Sequence, residues 1–382
     1  MNPLPQIPVA VFLTRFEPGG TERQMTELVR RLDPSRFRVH VACFDKRGAW
    51  LPRVAERAAS IVEFPIDGFA RPGTIGQLVA FARWCRRERI RVVQTCDLYA
   101  NIFGLSGAAL AGVPVRIGSR RELNPDKTPG QIRLQRHAYR CATKVVANSA
   151  AARGILQDEG LVPGSIAVIS NGLDADAYPE RSPDAATRPI RSVITVANLR
   201  PEKSHESLIG AAALLAADFP DVTFSIVGDG PRWAELEALV RGRGLQSRVL
   251  FLGHREDVAT LLGEADVFVL PSRSEAFPNG AIEAMATGLP VIASRVGGLL
   301  DLIEQGHTGL LVEAGDPAAL AAALRQLFTD RAAAARLGAQ ARAHVRQRYS
   351  FDRMVTSFED LYVAGLAARS LPRAQRAEAA GI

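Results

Sequence analysis

Short runs of β-branched and other apolar residues recur along this chain. Most are closed by Gly, Pro or Asn, with amphipathic stretches between them. In the first half the runs are Val9–Leu13, Arg38–Cys43, Val92–Thr95, Val115–Gly118, Val145–Asn148 and Ile166–Ile169. In the second they are Ser192–Ala197, Thr223–Val227, Val249–Leu252, Val267–Leu270 and Val291–Ala293. Apolar runs this short fit strands buried on both faces, and amphipathic stretches between them fit crossover helices. The pattern predicts an α/β chain with parallel sheets. It occurs twice, and the break falls in YPERSPDAATRP, Tyr178–Pro189, which is rich in Pro, Asp, Ser and Thr and has no apolar period. Residues 1–188 and 189–348 are therefore expected to form two doubly wound domains facing each other across a cleft. In such sheets ligands sit beyond the carboxyl ends of the strands. Phe351, Met354, Phe358, Leu361 and Tyr362 recur at helical spacing, so residues 349–368 are expected to form a helix packed back on the body. The polar, Ala-rich residues 369–382 are expected to form a flexible tail.

Within the second domain, SEAFPNGAIEAMATGLPVIAS, Ser274–Ser294, carries two acids, Glu275 and Glu283, on either side of a Pro-Asn-Gly turn. Val267–Leu270 reads as a strand, Ser272–Phe277 as a loop, and Pro278, Asn279 and Gly280 as the start of a helix that Gly288-Leu-Pro stops. A helix tip offers free N–H groups and partial positive charge, which suit a phosphate. Carboxylates flanking that tip would repel the phosphate itself and suit hydroxyls at its two sides. Eight residues span ~12 Å as helix, comparable to a ribose, a diphosphate and a hexose in a row. This geometry describes a nucleoside diphosphate sugar, with Glu283 at the ribose and Glu275 at the sugar. Two solvated or capping acids would produce the same spacing.

Charge for a diphosphate is available in VANLRPEKSHESL, where Arg200 and Lys203 follow a strand that ends at Ala197. A bidentate guanidinium and a point-charge ammonium are what a departing diphosphate needs. In FEPGGTERQ, Gly19 and Gly20 open a helix directly after the first strand, so the backbone there can approach a phosphate or a sugar closely. The pair is too short for a dinucleotide fingerprint and lacks a Walker lysine.

Together these residues resemble glycosyltransferase family 4, a retaining family of GT-B fold. The likeness rests on the Glu275-x7-Glu283 motif with Phe277 inside it. It continues through VANLRPEKS, IVGDGPRWAELEAL, VLFLGHREDV and GLPVIASRVGGLLDLIEQGHTGLLV, and more loosely through PGGTERQ and ANSAAARGIL…IAVISNGLD. The resemblance implies that Arg200 and Lys203 hold the diphosphate and stabilise its departure, that Glu283 binds the ribose, and that Glu275 meets the donor sugar. The backbone around Phe277, Pro278, Asn279 and Gly280, and that of Gly19 and Gly20, would contact sugar and phosphate. Gly253 and His254 would line the base pocket. Neither a metal nor a cofactor is expected, since protein cations take that role. Many members carry a histidine in the first domain near the donor sugar. Here those regions read QTCDLYAN and RIGSRRELNP, so Asp97, Ser119 and Arg120 are the candidates on the acceptor or donor side.

The remaining composition limits the other readings. Four dispersed cysteines with no Cys-x-x-Cys pair indicate reduced thiols in the cytoplasm rather than a zinc site or a redox motif. Asp174-Ala-Asp176 imitates a metal-binding Asp-x-Asp and reads as turn chemistry. No apolar run is long enough to span a bilayer. Net charge is +7, with the excess in the first half, and RWCRRERIR, Arg83–Arg91, is the strongest basic run. It lacks the interleaved aromatics of a nucleic-acid binder. A solvated helix face, or a surface for anionic lipid at the inner face of the membrane, fits it better, and no nucleic-acid partner is expected. The expected activity is sugar transfer from a nucleotide sugar to a glycan or lipid-linked acceptor, with retention of configuration. The alternatives are a nucleotide-sugar epimerase of the same fold and a non-catalytic protein that binds anions or nucleic acid.

Overall fold

The structure, a computed structural model, describes residues 5–69, 71–123, 128–181 and 188–370. The middle of the expected linker and most of the expected tail, residues 371–382, lie outside the described residues. The chain divides into two compact units: Met1–Gly172 with Phe351–Ile382, and Leu173–Ser350. The first unit therefore gives way to the second at Gly172, ahead of the Pro-rich break.

The first unit is built on seven parallel strands: β1 (Ile7–Leu13), β2 (Phe37–Cys43), β3 (Ser60–Glu63), β4 (Val92–Thr95), β5 (Val115–Arg120), β6 (Lys144–Ala147) and β7 (Ile166–Val168). Their order is β3-β2-β1-β4-β5-β6-β7. β1 is central because Val9–Leu13 are all fully buried, which requires cover on both faces. The last helix, Phe351–Ser370, belongs to this unit. Phe358 and Tyr362 are fully buried in the same core as β1. Glu359 accepts from Asp33 N (2.8 Å) and Arg36 Nη1 (2.8 Å).

The second unit has six parallel strands: β8 (Ser192–Val196), β9 (Thr223–Val227), β10 (Val249–Gly253), β11 (Val267–Leu270), β12 (Val291–Ser294) and β13 (Leu310–Val312). Their order is β10-β9-β8-β11-β12-β13. The register of β8 on β11 pairs Val193 with Val267 and Ile194 with Phe268. β3 and β13 were not among the expected strands; both are edge strands. In each sheet the winding reverses once, between β1 and β4 and between β8 and β11. At such a point the loops leave neighbouring strands in opposite directions and open a crevice at the carboxyl ends.

Candidate active site

In the second unit, the loop after β8 is fixed by the loop after β9. Ala197 N donates to Val227 O (2.9 Å) and Leu199 N to Asp229 O (2.9 Å). Gly228 makes this approach possible: its φ is +141°, and a Cβ there would lie 2.1 Å from Ala197 O. Pro201–Lys203 form one 3-10 turn, and the chain enters the helix His205–Leu215 through Ser204, at φ +50° and ψ 43°. This is left-handed backbone on a residue other than glycine, held by its side chain. Ser204 Oγ donates to Glu206 Oε1 (3.2 Å), accepts from Arg273 Nε (3.2 Å) and lies 3.0 Å from Ser207 Oγ.

The loop after β11 closes on the same place. Arg273 N donates to Glu202 O at 2.7 Å. Glu275 is buried, and its Oε1 accepts from both Lys203 Nζ (2.7 Å) and Ser272 Oγ (2.7 Å). Its Oε2 accepts from none of the described residues. Arg200 is exposed at the same rim, with no ion pair among the described residues. The helix Asn279–Thr287 then begins. Its N-cap is Pro278, which supplies no side-chain acceptor, and it ends at Gly288 with φ +83°. A Cβ on Gly280 would stand 2.8 Å from Val196 O, so this glycine lets the helix tip abut the end of β8. Glu283 is buried one turn further on. The Phe277 ring is also buried, against Tyr349 at 5.4 Å between centroids. At Phe277, therefore, the backbone rather than the ring is what a ligand can meet. Gly253, at φ +68°, closes β10 and is followed by exposed His254. Its neighbour Phe251 packs on Trp233. Arg200, Lys203, Glu275, Pro278, Asn279, Gly280 and Glu283 thus come together at the β8/β11 reversal, with Gly253 and His254 at the carboxyl end of β10.

Three contributors carry no mark in the local sequence. Ser272 shares Glu275 with Lys203. Glu206 joins Arg232 (2.7 Å) and Arg273 (3.2 Å) into one network behind the loop. His205 is fully buried beside them with neither ring nitrogen hydrogen-bonded. Burial pushes its pKa down to about 4, so the ring is neutral.

In the first unit, Asp97 occupies the β1/β4 reversal. It caps the short helix Leu98–Ala100, accepting from Ala100 N (2.9 Å), and it also accepts from Thr14 Oγ1 (2.5 Å) and Cys96 Sγ (3.2 Å). Gly19 caps the helix Gly20–Arg31, and Glu22 folds back over it: a Cβ on Gly19 would sit 2.2 Å from Glu22 Oε2. Burial, with the charge of Asp97 adding to it, raises the Glu22 carboxyl above its usual range. Ser119 and Arg120 do not belong with these groups. Ser119 is buried, its Oγ accepting from Gln94 Nε2 (2.9 Å) and its N donating to Asn101 Oδ1 (3.1 Å). Arg120 is fully buried and holds Glu159 (2.8 Å), Gln135 (3.0 Å) and Glu122 O (2.9 Å). The residue that follows β5 is Arg121. It donates to Asn171, and burial lowers its pKa to about 10. Asp174 accepts from Asp176 N (3.3 Å) as a local turn, and Asp176 pairs with Arg346. No cluster of three or more metal-binding side chains occurs among the described residues.

Known proteins resemble this chain. Residues 18–177 match the family described as Glycosyltransferase Family 4, and residues 190–330 the one described as Glycosyl transferases group 1. D-inositol 3-phosphate glycosyltransferase of Salinispora tropica is 30% identical, over 90% of this chain and 80% of that protein. The chain belongs to glycosyltransferase family 4. Another relative, N-acetyl-alpha-D-glucosaminyl L-malate synthase of Bacillus anthracis, is 35% identical over 44% of each chain, so this match spans less than half of that protein. Among solved structures, Anabaena HepE in complex with UDP and glucose superposes with a TM-score of 0.81 at 24% identity, over 93% of this chain and 99% of that one. Sucrose-phosphate synthase of Thermosynechococcus elongatus gives 0.78 at 23%, over 95% and 100%. These likenesses place the family 4 chain in the GT-B fold class, and the protein is a glycosyltransferase.

Proposed function

We propose that this glycosyltransferase takes a hexose from a nucleoside diphosphate sugar and passes it, with retention, to a hydroxyl of a glycan or lipid-linked acceptor in polysaccharide or glycolipid synthesis. The observation that carries this reading is the meeting of Lys203 and Glu275 at 2.7 Å beside the tip of the helix Asn279–Thr287. In this reading, Arg200 and Lys203 stand on the diphosphate and Glu283 takes the ribose hydroxyls. Glu275, whose Oε2 receives no hydrogen bond from the described residues, takes hydroxyls of the sugar. The bond from the anomeric carbon to the diphosphate breaks, and its electron pair leaves on the phosphate. The acceptor oxygen bonds to the same face of that carbon, and the acceptor proton passes to the departing phosphate oxygen. The two cations stabilise the charge that grows on the leaving group, so they lower the barrier rather than merely tighten binding.

The reading extends to place. Arg83, Arg86, Arg87, Arg89 and Arg91 are all exposed, a basic face suited to anionic lipid at the cytoplasmic surface of the membrane. No helix among the described residues is long and apolar enough to cross a membrane.

A melting panel with UDP-, GDP- and ADP-glucose tests the donor, because a ligand of the folded state raises the midpoint. One nucleotide sugar is expected to raise it, and Glu283→Ala and Lys203→Ala to abolish the shift. No shift with any of the three would sink the reading. Nucleotide release only when an acceptor is added separates a transferase from an epimerase, and NMR of the anomeric proton reports retention. Anionic vesicles are expected to sediment the protein at low salt and release it at high salt; equal recovery with neutral vesicles rejects the membrane surface.

A further inference from the structure

A pocket of about 670 Å³ lies wholly within the first unit, outside the carboxyl ends of β1, β2 and β3 and beside the start of the Leu98–Ala100 helix. Its volume is that of a small-molecule site. One wall is aromatic. Tyr99 is 44% exposed, and its ring lies nearly parallel to that of Phe69, 5.7 Å away and tilted by 17°. Phe69 meets Phe44 edge-on at 6.4 Å, and Phe44 in turn packs on Phe12 and Phe103 in the core. The exposed rings are therefore anchored to the fold.

Most of the other residues lining the pocket are polar or charged. Arg47 is committed to Asp45 by two hydrogen bonds of 2.7 Å, and Glu63 accepts from Lys46 N at 3.1 Å. This leaves Arg15, Lys46 and Asp67 lining the pocket with no side-chain ion pair among the described residues. A site with a flat aromatic wall and both donors and acceptors in the same lining suits a molecule with one apolar face and a rim of hydroxyls. A pyranose ring is such a molecule: its axial C–H bonds form the apolar face, and its equatorial hydroxyls both donate and accept. A small dicarboxylate or a bare phosphate would leave the aromatic wall unused. An acyl chain would leave Arg15, Lys46 and Asp67 desolvated without partners.

We infer that the acceptor is a saccharide whose ring stacks on Tyr99, supported by Phe69, with Arg15, Lys46 and Asp67 reading its hydroxyls. This rests on the reading that the protein transfers a sugar to an acceptor; it narrows that acceptor to one with a sugar ring at the receiving end and adds the residues that select it.

The test titrates the full chain with methyl pyranosides of glucose, galactose, mannose, N-acetylglucosamine and glucuronic acid at tens of millimolar, followed by saturation-transfer NMR. Malate and glycerol 3-phosphate, which have no ring, serve as non-stacking controls, and UDP affinity is measured in parallel. At least one pyranoside is expected to bind. Tyr99→Ala should weaken that binding tenfold or more, Tyr99→Phe should restore it, and UDP affinity should be the same in all three proteins. Pyranoside binding that Tyr99→Ala leaves unchanged overturns the inference. So does binding of only the two controls, or no Tyr99-dependent binding across the panel. A wild-type protein that binds pyranosides through Tyr99 but no nucleotide sugar would keep the saccharide site and reject the transferase reading instead.

Discussion

Lys203 and Glu275 are 72 positions apart in the chain and 2.7 Å apart in space, Nζ to Oε1. The carboxylate is almost fully buried and the ammonium about one-fifth exposed. Removing the cation alone strands a buried anion with only Ser272 for company. Lys203→Met keeps the aliphatic stem and is expected to cost about 1–3 kcal/mol of stability, less than a fully buried pair because the lysine is partly solvated. Urea denaturation measures this. Nucleotide affinity should fall by about 10- to 100-fold, the worth of a charge-assisted hydrogen bond. An unchanged affinity would remove Lys203 from the diphosphate.

Ser204 sits at φ +50° and is held there by its hydroxyl. Both Ser204→Ala and Ser204→Gly delete the hydroxyl, but only alanine keeps the left-handed strain. The alanine variant should therefore be less stable than the glycine variant by about 1 kcal/mol. Equal urea midpoints would show that the backbone relaxes out of this conformation at no cost.

Gly280 touches the end of β8, where an added Cβ would meet Val196 O at 2.8 Å. Both atoms of that contact are backbone or bound rigidly to it, so Gly280→Ala must push the helix tip away from the strand. Nucleotide binding, followed by calorimetry, should weaken by about tenfold or more, since angstrom-scale misplacement degrades such sites. Wild-type affinity in this variant would mean that the helix tip does not hold the phosphate.

His205 supplies a pH dependence. Its folded pKa is depressed to about 4 from 6.5, so the unfolded chain takes up a proton that the folded one refuses. The contribution to stability is fully present above pH 6.5, is lost as pH falls from 6.5 towards 4, and is flat below that. The total is about 3 kcal/mol. Urea midpoints of wild type and His205→Phe between pH 7 and 4 should converge or cross as the wild type loses this increment. Parallel curves would show that the ring is protonated or solvated in the folded protein.

Arg120 is fully buried and engaged with Glu159, which is itself 11% exposed. Arg120→Ala is expected to cost about 3–5 kcal/mol, because the remaining carboxylate is left uncompensated. Any fraction that folds should bind UDP as the wild type does. Loss of UDP binding in folded protein would return Arg120 to the site.

Most of the architecture can be read from the chain because parallel strands buried on both faces are largely apolar, and β1 and β11 announce themselves that way. β3 and β13 do not. Ser60–Glu63 lies at a sheet edge, partly exposed and closed by an acid, and Leu310–Val312 is three residues long. Their pairing is decided by the neighbouring strand rather than by their own composition. The same contrast runs through the site. Glu275 and Glu283 are placed by one turn and one helix, so their relation is local and legible. The pairing of Lys203 with Glu275 depends on two loops from different strands being laid side by side, which no local pattern encodes. Arg120 misled for a simpler reason. Arg120 ends β5 and is taken up by Glu159 and Gln135, while Arg121 follows it and donates to Asn171, and two adjacent arginines do not say which is which.

The first unit has its beginning and its end far apart in the sequence. Phe358 and Tyr362, in the last described helix, fill the same core as β1. During synthesis the residues up to Gly172 must therefore wait, with part of their interior bare, until the helix Phe351–Ser370 has been made. A chain stopped after Ser350 would leave that greasy surface uncovered, a natural target for chaperones and proteases.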